Sequence, residues 1–197
     1  MLLQEALAQI LGALAEERAP GALLGGLAVS VWTEPRFTRD VDLAVAVTSD
    51  EDAERLIHRL RGRGYGLLAT VEQTAVARLA TARLRPPGQL EEGMVVDLLF
   101  ASSDIEPEIV SAALELDVGG AVSAKVACIG HLVALKLLAH DPIKRPQDGL
   151  DLRALRAVLN EEEHVRATRA CELIESRGFS RGRDLRAALT AYLSDEG

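Results

Sequence analysis

The chain reads as an α+β protein. Strands and helices alternate up to about residue 120 and helices alone follow, which divides it into an α/β part, 1–120, and a helical part, 121–197. Three observations predict this. Asp40 to Val47 alternates strictly, with Val41, Leu43, Val45 and Val47 on one face and Asp40, Asp42, Ala44 and Ala46 on the other, which is the period of a strand. Met94 to Phe100 is a short apolar run after the turn Pro86-Pro87-Gly88, as expected of a second strand. Beyond Ile129, four stretches read as helices: 131–140, 148–159, 161–177 and 181–193.

The remaining elements follow in order. Residues 2–18 form an amphipathic helix, because Leu3, Ala6, Leu7, Ile10, Leu11 and Leu14 recur at helical spacing, and Pro20-Gly21 end it. Ala22-Leu23-Leu24 is a short strand, Gly25-Gly26 a turn, and 27–32 a short helix. After the strand at 40–47, Ser49 or Asp50 caps a helix to about residue 61, which Gly62, Gly64 and Gly66 break. Residues 67–85 hold one or two strands. Residues 104–116 read as a helix with Pro107 in its first turn. The C-terminal helices are joined at 141–147, Asn160 and 178–180, and Glu161-Glu162-Glu163 is a solvated helix start that the helix dipole favours.

Composition narrows the function. An apolar fraction of 48% excludes a disordered chain. A net charge of −8 counts against a general polyanion binder, though not against a local basic site. Cys128 and Cys171 are far apart and read as buried thiols, and the four histidines show no ligand spacing and read as surface or helix-end residues. With neither a signal peptide nor a membrane span in the sequence, the expected location is the cytoplasm.

The chemistry centres on Arg39-Asp40-Val41-Asp42-Leu43. Asp40 and Asp42 point to one side of a strand, and two ionised carboxylates there repel each other. A hard divalent cation relieves the repulsion, and magnesium fills the rest of its shell with phosphate oxygens and water. The alternative is a pair of acids facing water at a strand end. Two features favour the cation. Asp97 is embedded in the apolar run 94–100, where a charge needs a partner, either a basic residue or the same metal if the two strands are neighbours. A third carboxylate allows a two-metal site. Gly25-Gly26 precedes a helix start, where the backbone can approach a phosphate closely and the dipole favours it.

These residues resemble a known family. Gly25-Gly26-Leu27-Ala28, then Pro35-Arg36-Phe37-Thr38-Arg39-Asp40-Val41-Asp42-Leu43, then Asp97, are similar to the G-G, R-x-T-x-D-x-D and later single acid of AbiEii-like bacterial nucleotidyltransferases, in the polymerase-β-like superfamily. Leu135-Lys136-Leu137-Leu138-Ala139 with Lys144-Arg145-Pro146-Gln147-Asp148 and Asp151-Leu152 resembles the family's helical segment. The chain departs from it at Trp32-Thr33-Glu34-Pro35-Arg36, where relatives carry Gly-x-x-Arg. The resemblance implies a mixed β-sheet with flanking helices followed by a helical bundle. It implies transfer of a nucleoside monophosphate from a nucleoside triphosphate to an acceptor, with release of pyrophosphate. Asp40, Asp42 and Asp97 would form the catalytic magnesium (Mg2+) site, with Asp97 helping to deprotonate the acceptor. Gly25 and Gly26 would hold the triphosphate, Arg36 and Lys136 would face phosphate, and Thr38 would hydrogen-bond nearby.

Bland readings stand beside these. Arg36 can pair with Asp40 or Asp42, Lys136 can reach the surface or bridge to Asp148 or Asp151, and Lys144-Arg145 can be a solvated loop. The acceptor is RNA, a protein or a small molecule. For RNA, Arg55, Arg59, Arg61 and Arg63 are the candidate contacts, against an exposed basic helix face. An antitoxin is a possible partner, since some relatives belong to toxin–antitoxin pairs. The competing functions are a non-catalytic module of the same fold that binds a nucleotide or protein, and an unrelated domain in which Asp97 lies far from Asp40.

Overall fold

The computed structural model describes residues 3–73, 77–89, 93–141 and 143–194. Eight helices and seven strands are assigned among them: α1 (Leu3–Glu16), β1 (Gly21–Leu23), α2 (Gly25–Trp32), β2 (Asp40–Val45), α3 (Asp50–Gly62), β3 (Gly66–Gln73), β4 (Arg78–Arg85), β5 (Val95–Leu99), α4 (Glu106–Ala112), β6 (Leu114–Asp117), β7 (Ser123–Val126), α5 (Ile129–Ala139), α6 (Pro146–Val158), α7 (Glu161–Ser176) and α8 (Leu185–Ser194). The strands form one mixed sheet in the order β3-β4-β5-β2-β1-β7-β6.

The alternation of β2 places Val41, Leu43 and Val45 in the core, all at 0% exposure, beside Val96 and Leu98 of β5. Leu7, Ile10 and Leu14 of α1, Ile105 at the N-cap of α4 and Ile109 within it are buried in the same core. Ser49 caps α3, its hydroxyl accepting from the Asp52 N–H at 3.2 Å. Strand direction then sets the site. β1 runs antiparallel to β2 and parallel to β7, and β5 runs parallel to β2. The ends of β1 and β7 therefore meet the start of β2 at one edge. The helices that leave those ends, α2 and α5, begin at that edge too.

Several expectations are corrected. The helix expected at 104–116 is shorter, ending at Ala112, and Leu114–Asp117 is an edge strand paired antiparallel with β7. Asp104 has a φ of 59°, in the left-handed region, so the helix begins after it at Glu106, and Ala113 turns extended with ψ 141°. β7 lies just past residue 120, where the sequence pattern shows no strand. Gly25 and Gly26 lie inside the first turn of α2, not in a turn before it. The last helix begins at Leu185 because Arg181 and Gly182 have φ values of 55° and 75°. The first helix stops before Arg18, whose φ is 55°; Leu2 lies outside the described residues, as do 74–76 within the expected strand region and Pro142 in the expected joint. His131 is buried, not at the surface, and burial brings its pKa down to about 4, so it is neutral. Of the three glutamates at the start of α7, Glu163 is buried: it accepts from the Gly130 N–H at 2.6 Å and so binds the start of α5.

That contact packs α5 tightly on α7. A Cβ at Gly130 would lie 2.3 Å from the Glu163 carbonyl oxygen and 2.7 Å from the Ala167 nitrogen, both backbone atoms that cannot step aside. Gly130→Ala is expected to destabilise the fold by about 2–3 kcal/mol in urea unfolding. Gly12→Ala in α1, where a Cβ meets nothing within 4 Å, is expected to stabilise it by about 0.5–1 kcal/mol.

Candidate active site

The site is a row across the sheet. Asp42 of β2 is the register partner of Asp97 of β5, and Asp97 is the register partner of Arg83 of β4. Adjacent strands lie about 4.8 Å apart, so the two carboxylates are neighbours. This removes the unrelated-domain reading, which required Asp97 to be remote. Asp40, two residues before Asp42, is on the same face. Arg83 grips Asp97 bidentately, Nε donating to Oδ1 at 2.9 Å and Nη2 to Oδ2 at 2.7 Å. Asp97 thus has the basic partner that a buried charge needs. The sequence did not single out Arg83, because its place opposite Asp97 depends on the β4–β5 register.

On the other side of Asp42 is α2. The Leu24 N–H donates to the Asp42 carbonyl at 2.7 Å, which brings the next residue against the Asp42 side chain. A Cβ at Gly25 would stand 1.8 Å from Asp42 Oδ2, and Gly25 has a φ of +63°. Only glycine satisfies both conditions. Leu24 offers no side-chain cap, so the first N–H groups of α2 have none beside the carboxylates.

The helical part supplies cations. Lys136 of α5 is buried, its Nζ 2.6 Å from Asp148 Oδ1 and 2.7 Å from Asp151 Oδ2 on α6. Arg36 meets the same Asp151, with Nε 2.7 Å from Oδ1 and Nη2 2.8 Å from Oδ2. Arg36 therefore pairs with neither Asp40 nor Asp42. Its guanidinium lies on Gly26, where a Cβ would be 2.5 Å from Nη2. Burial alone would raise the Asp151 pKa, but Lys136 and Arg36 together hold it below the usual carboxylate range. Arg145 Nε lies 3.1 Å from Asp148 Oδ2. A cavity of about 130 Å³ opens on Asp42, Gly25, Lys136, Arg145, Ser102 and Arg181. Arg181, which donates to the Ser102 carbonyl at 3.1 Å, is a second residue that sequence reasoning missed, since it comes from the turn before α8. Thr38 is half-buried in the segment leading into β2, and Lys144 is exposed. Of the arginines considered for RNA, Arg55 pairs with Asp52, and Arg59 and Arg63 pair with Glu17.

Burial pushes the Asp42 carboxyl up to about 6, with Asp97 and Asp40 adding like charge and Lys136 and Arg145 only partly offsetting them. Excess negative charge on hard oxygen donors fits a divalent cation. Among the described residues no group of three or more His, Cys, Asp or Glu side chains is gathered to hold a metal ion, so Asp40, Asp42 and Asp97 do not by themselves form a ready-made three-ligand site.

The fold is that of nucleotidyltransferases. The match to an antigenic nucleotidyltransferase-like protein from Paracoccidioides brasiliensis has a TM-score of 0.53 at 18% identity, over 95% of this chain and 92% of that one. ANT(2")-Ia in complex with adenylyl-2"-tobramycin matches with a TM-score of 0.58 at 13% identity, over 88% and 97%. The solution structure of the antibiotic-resistance factor ANT(2'')-Ia matches with a TM-score of 0.55 at 16% identity, over 88% and 91%. No curated protein sequence matches. The family model described as "Nucleotidyl transferase AbiEii toxin, Type IV TA system" matches residues 9–196, and the chain belongs to that family of nucleotidyltransferases. Cys128 and Cys171 are buried and free, and no described helix is long and apolar enough to cross a membrane.

Two consequences are testable. Gly25→Ala is expected to lose the site, because the new methyl displaces the Asp42 carboxylate; circular dichroism should show the fold kept while triphosphate binding disappears. For Asp42, the folded chain holds a proton between about pH 4 and 6 that the unfolded chain has released, so its contribution to stability falls as pH rises through that window. In chelator, Asp42→Asn is expected to be more stable than wild type by about 1–2 kcal/mol at pH 7.5, with the difference vanishing near pH 4. A constant difference across that range would refute the assignment.

Proposed function

We propose that the chain transfers a nucleoside monophosphate from a nucleoside triphosphate to an acceptor, with Mg2+, releasing pyrophosphate. The observation that carries this is the adjacency of Asp42 and Asp97 beside a glycine-opened helix start and a cationic cavity. Asp40 and Asp42 hold the cation, and Asp97 completes the site. A bound magnesium would neutralise charge on the phosphates and favour departure of pyrophosphate. Gly25 and Gly26 admit the triphosphate to the uncapped N–H groups of α2. Lys136, Arg145 and Arg181 line the cavity where phosphate oxygens bind, with Lys136 fixed by Asp148 and Asp151. Arg36, braced by Asp151, faces phosphate from above Gly26, and Thr38 hydrogen-bonds nearby. Asp97, oriented by Arg83, takes the proton of the attacking hydroxyl. In this reading residues 1–120 bring the carboxylates and residues 121–197 the buried lysine.

The acceptor is RNA, a protein or a small molecule, and the protein works in the cytoplasm with an antitoxin as its partner, in keeping with its family. Incubation with each labelled triphosphate, Mg2+, and total cellular RNA or protein should move label to one of those fractions. Asp40→Ala, Asp42→Ala and Asp97→Ala are each expected to cut transfer by about 100-fold or more. Unchanged triphosphate affinity in an Asp40→Ala, Asp42→Ala variant would sink the metal-site assignment. Binding without transfer under every condition would favour a non-catalytic module.

A further inference from the structure

The chain has six aromatic residues: three Phe, two Tyr and one Trp. Phe100, Phe179 and Tyr65 are buried in the core. Trp32 and Tyr192 are part-buried and donate to the carbonyls of Ala127 and Leu152. Phe37 alone faces solvent, with 79% of its surface exposed. A single exposed apolar side chain is ordinary. The position of this one is not.

Phe37 follows Arg36, whose guanidinium is clamped to Asp151 and lies on Gly26. Arg36 Nη1 also donates to the Phe37 carbonyl at 3.3 Å. The backbone of Phe37 is therefore held a few ångströms from the start of α2, and three residues later the chain reaches Asp40. The Arg39 guanidinium sits over the Phe37 ring, 5.6 Å from its centroid. A cation backing one face of an aromatic ring is a favourable pair, and it leaves the other face for a planar group. The cavity at Asp42 is lined by Lys136, Arg145 and Arg181, whose charges suit phosphate. Phe37 does not line this cavity; it sits beside Gly26 through Arg36, on the side where a base attached to phosphates held there can extend.

We infer that Phe37, backed by Arg39, is the platform on which the base of the donor nucleotide stacks. The inference rests on the nucleotidyl-transfer reading and adds to it the recognition of the base. Stacking on an aromatic face is tolerant of base identity, because every base has a π-face. All four triphosphates should therefore use the platform.

The test is equilibrium binding of ATP, GTP, CTP, UTP and inorganic tripolyphosphate to the full chain with Mg2+. Phe37→Ala is expected to weaken each nucleotide by about 5- to 20-fold and to leave tripolyphosphate unchanged. Phe37→Leu, which keeps an apolar side chain without a π-face, should fall in between. In Phe37→Trp, nucleotides but not tripolyphosphate should quench indole emission beyond any change seen from Trp32 in wild type. Unchanged nucleotide affinity in Phe37→Ala would overturn the platform and leave the transfer reading standing. Equal weakening of nucleotide and tripolyphosphate would overturn it too, since Phe37 would then act by shaping the loop. Failure of wild type to bind either ligand would remove the transfer reading, and this inference with it.

Discussion

Two carboxylates held in register on neighbouring parallel strands impose most of what surrounds them. Asp42 and Asp97 cannot move apart without breaking the β2–β5 ladder. The charge must be met by other parts of the chain, and three elements meet it in different ways. Arg83 takes both oxygens of Asp97. The start of α2 brings the positive end of a helix against Asp42, at a distance only glycine allows. Lys136 and Arg145 add positive charge from the helical part, yet the Asp42 pKa stays near 6. The charge that remains unmet is what a bound cation would relieve.

The topology explains why these elements come from distant parts of the sequence. Because β1 and β7 end where β2 begins, the helices that follow them start beside the acidic pair. Residues 25, 42, 97 and 136 converge without any long loop. β7 matters more than its four residues suggest. The Ala127 N–H donates to the Leu23 carbonyl at 3.0 Å, which sets α5 alongside α2 and directs Lys136 inward.

Much of this was legible in the sequence where side-chain period carried the signal. The alternation of 40–47 put Asp40 and Asp42 on one face, and Asp97 inside an apolar run announced a charge in need of a partner. What was not legible depended on pairing between strands. Arg83 looks like any other arginine in a strand until β4 is set against β5. The strand Leu114–Asp117 is too short for a period-2 pattern to be told from the end of a helix. Glu163 belonged to an acidic triplet whose composition reads as solvated, and only the crossing of α5 and α7 buries it. From sequence Arg36 can pair with Asp40 or Asp42, but Asp151, 115 positions away, is the carboxylate within reach.

Asp151 also makes the two halves of the chain share a single counter-ion. Its oxygens serve Lys136 on α5 and Arg36 on the segment before β2. Neither cation can be neutralised or released without changing the electrostatic surroundings of the other. Substitutions at Lys136 and Arg36 should therefore interact rather than add. Loss of Asp151 would leave Arg36 without this carboxylate, whereas Lys136 would keep Asp148, so the shared counter-ion matters more to the segment before β2 than to α5.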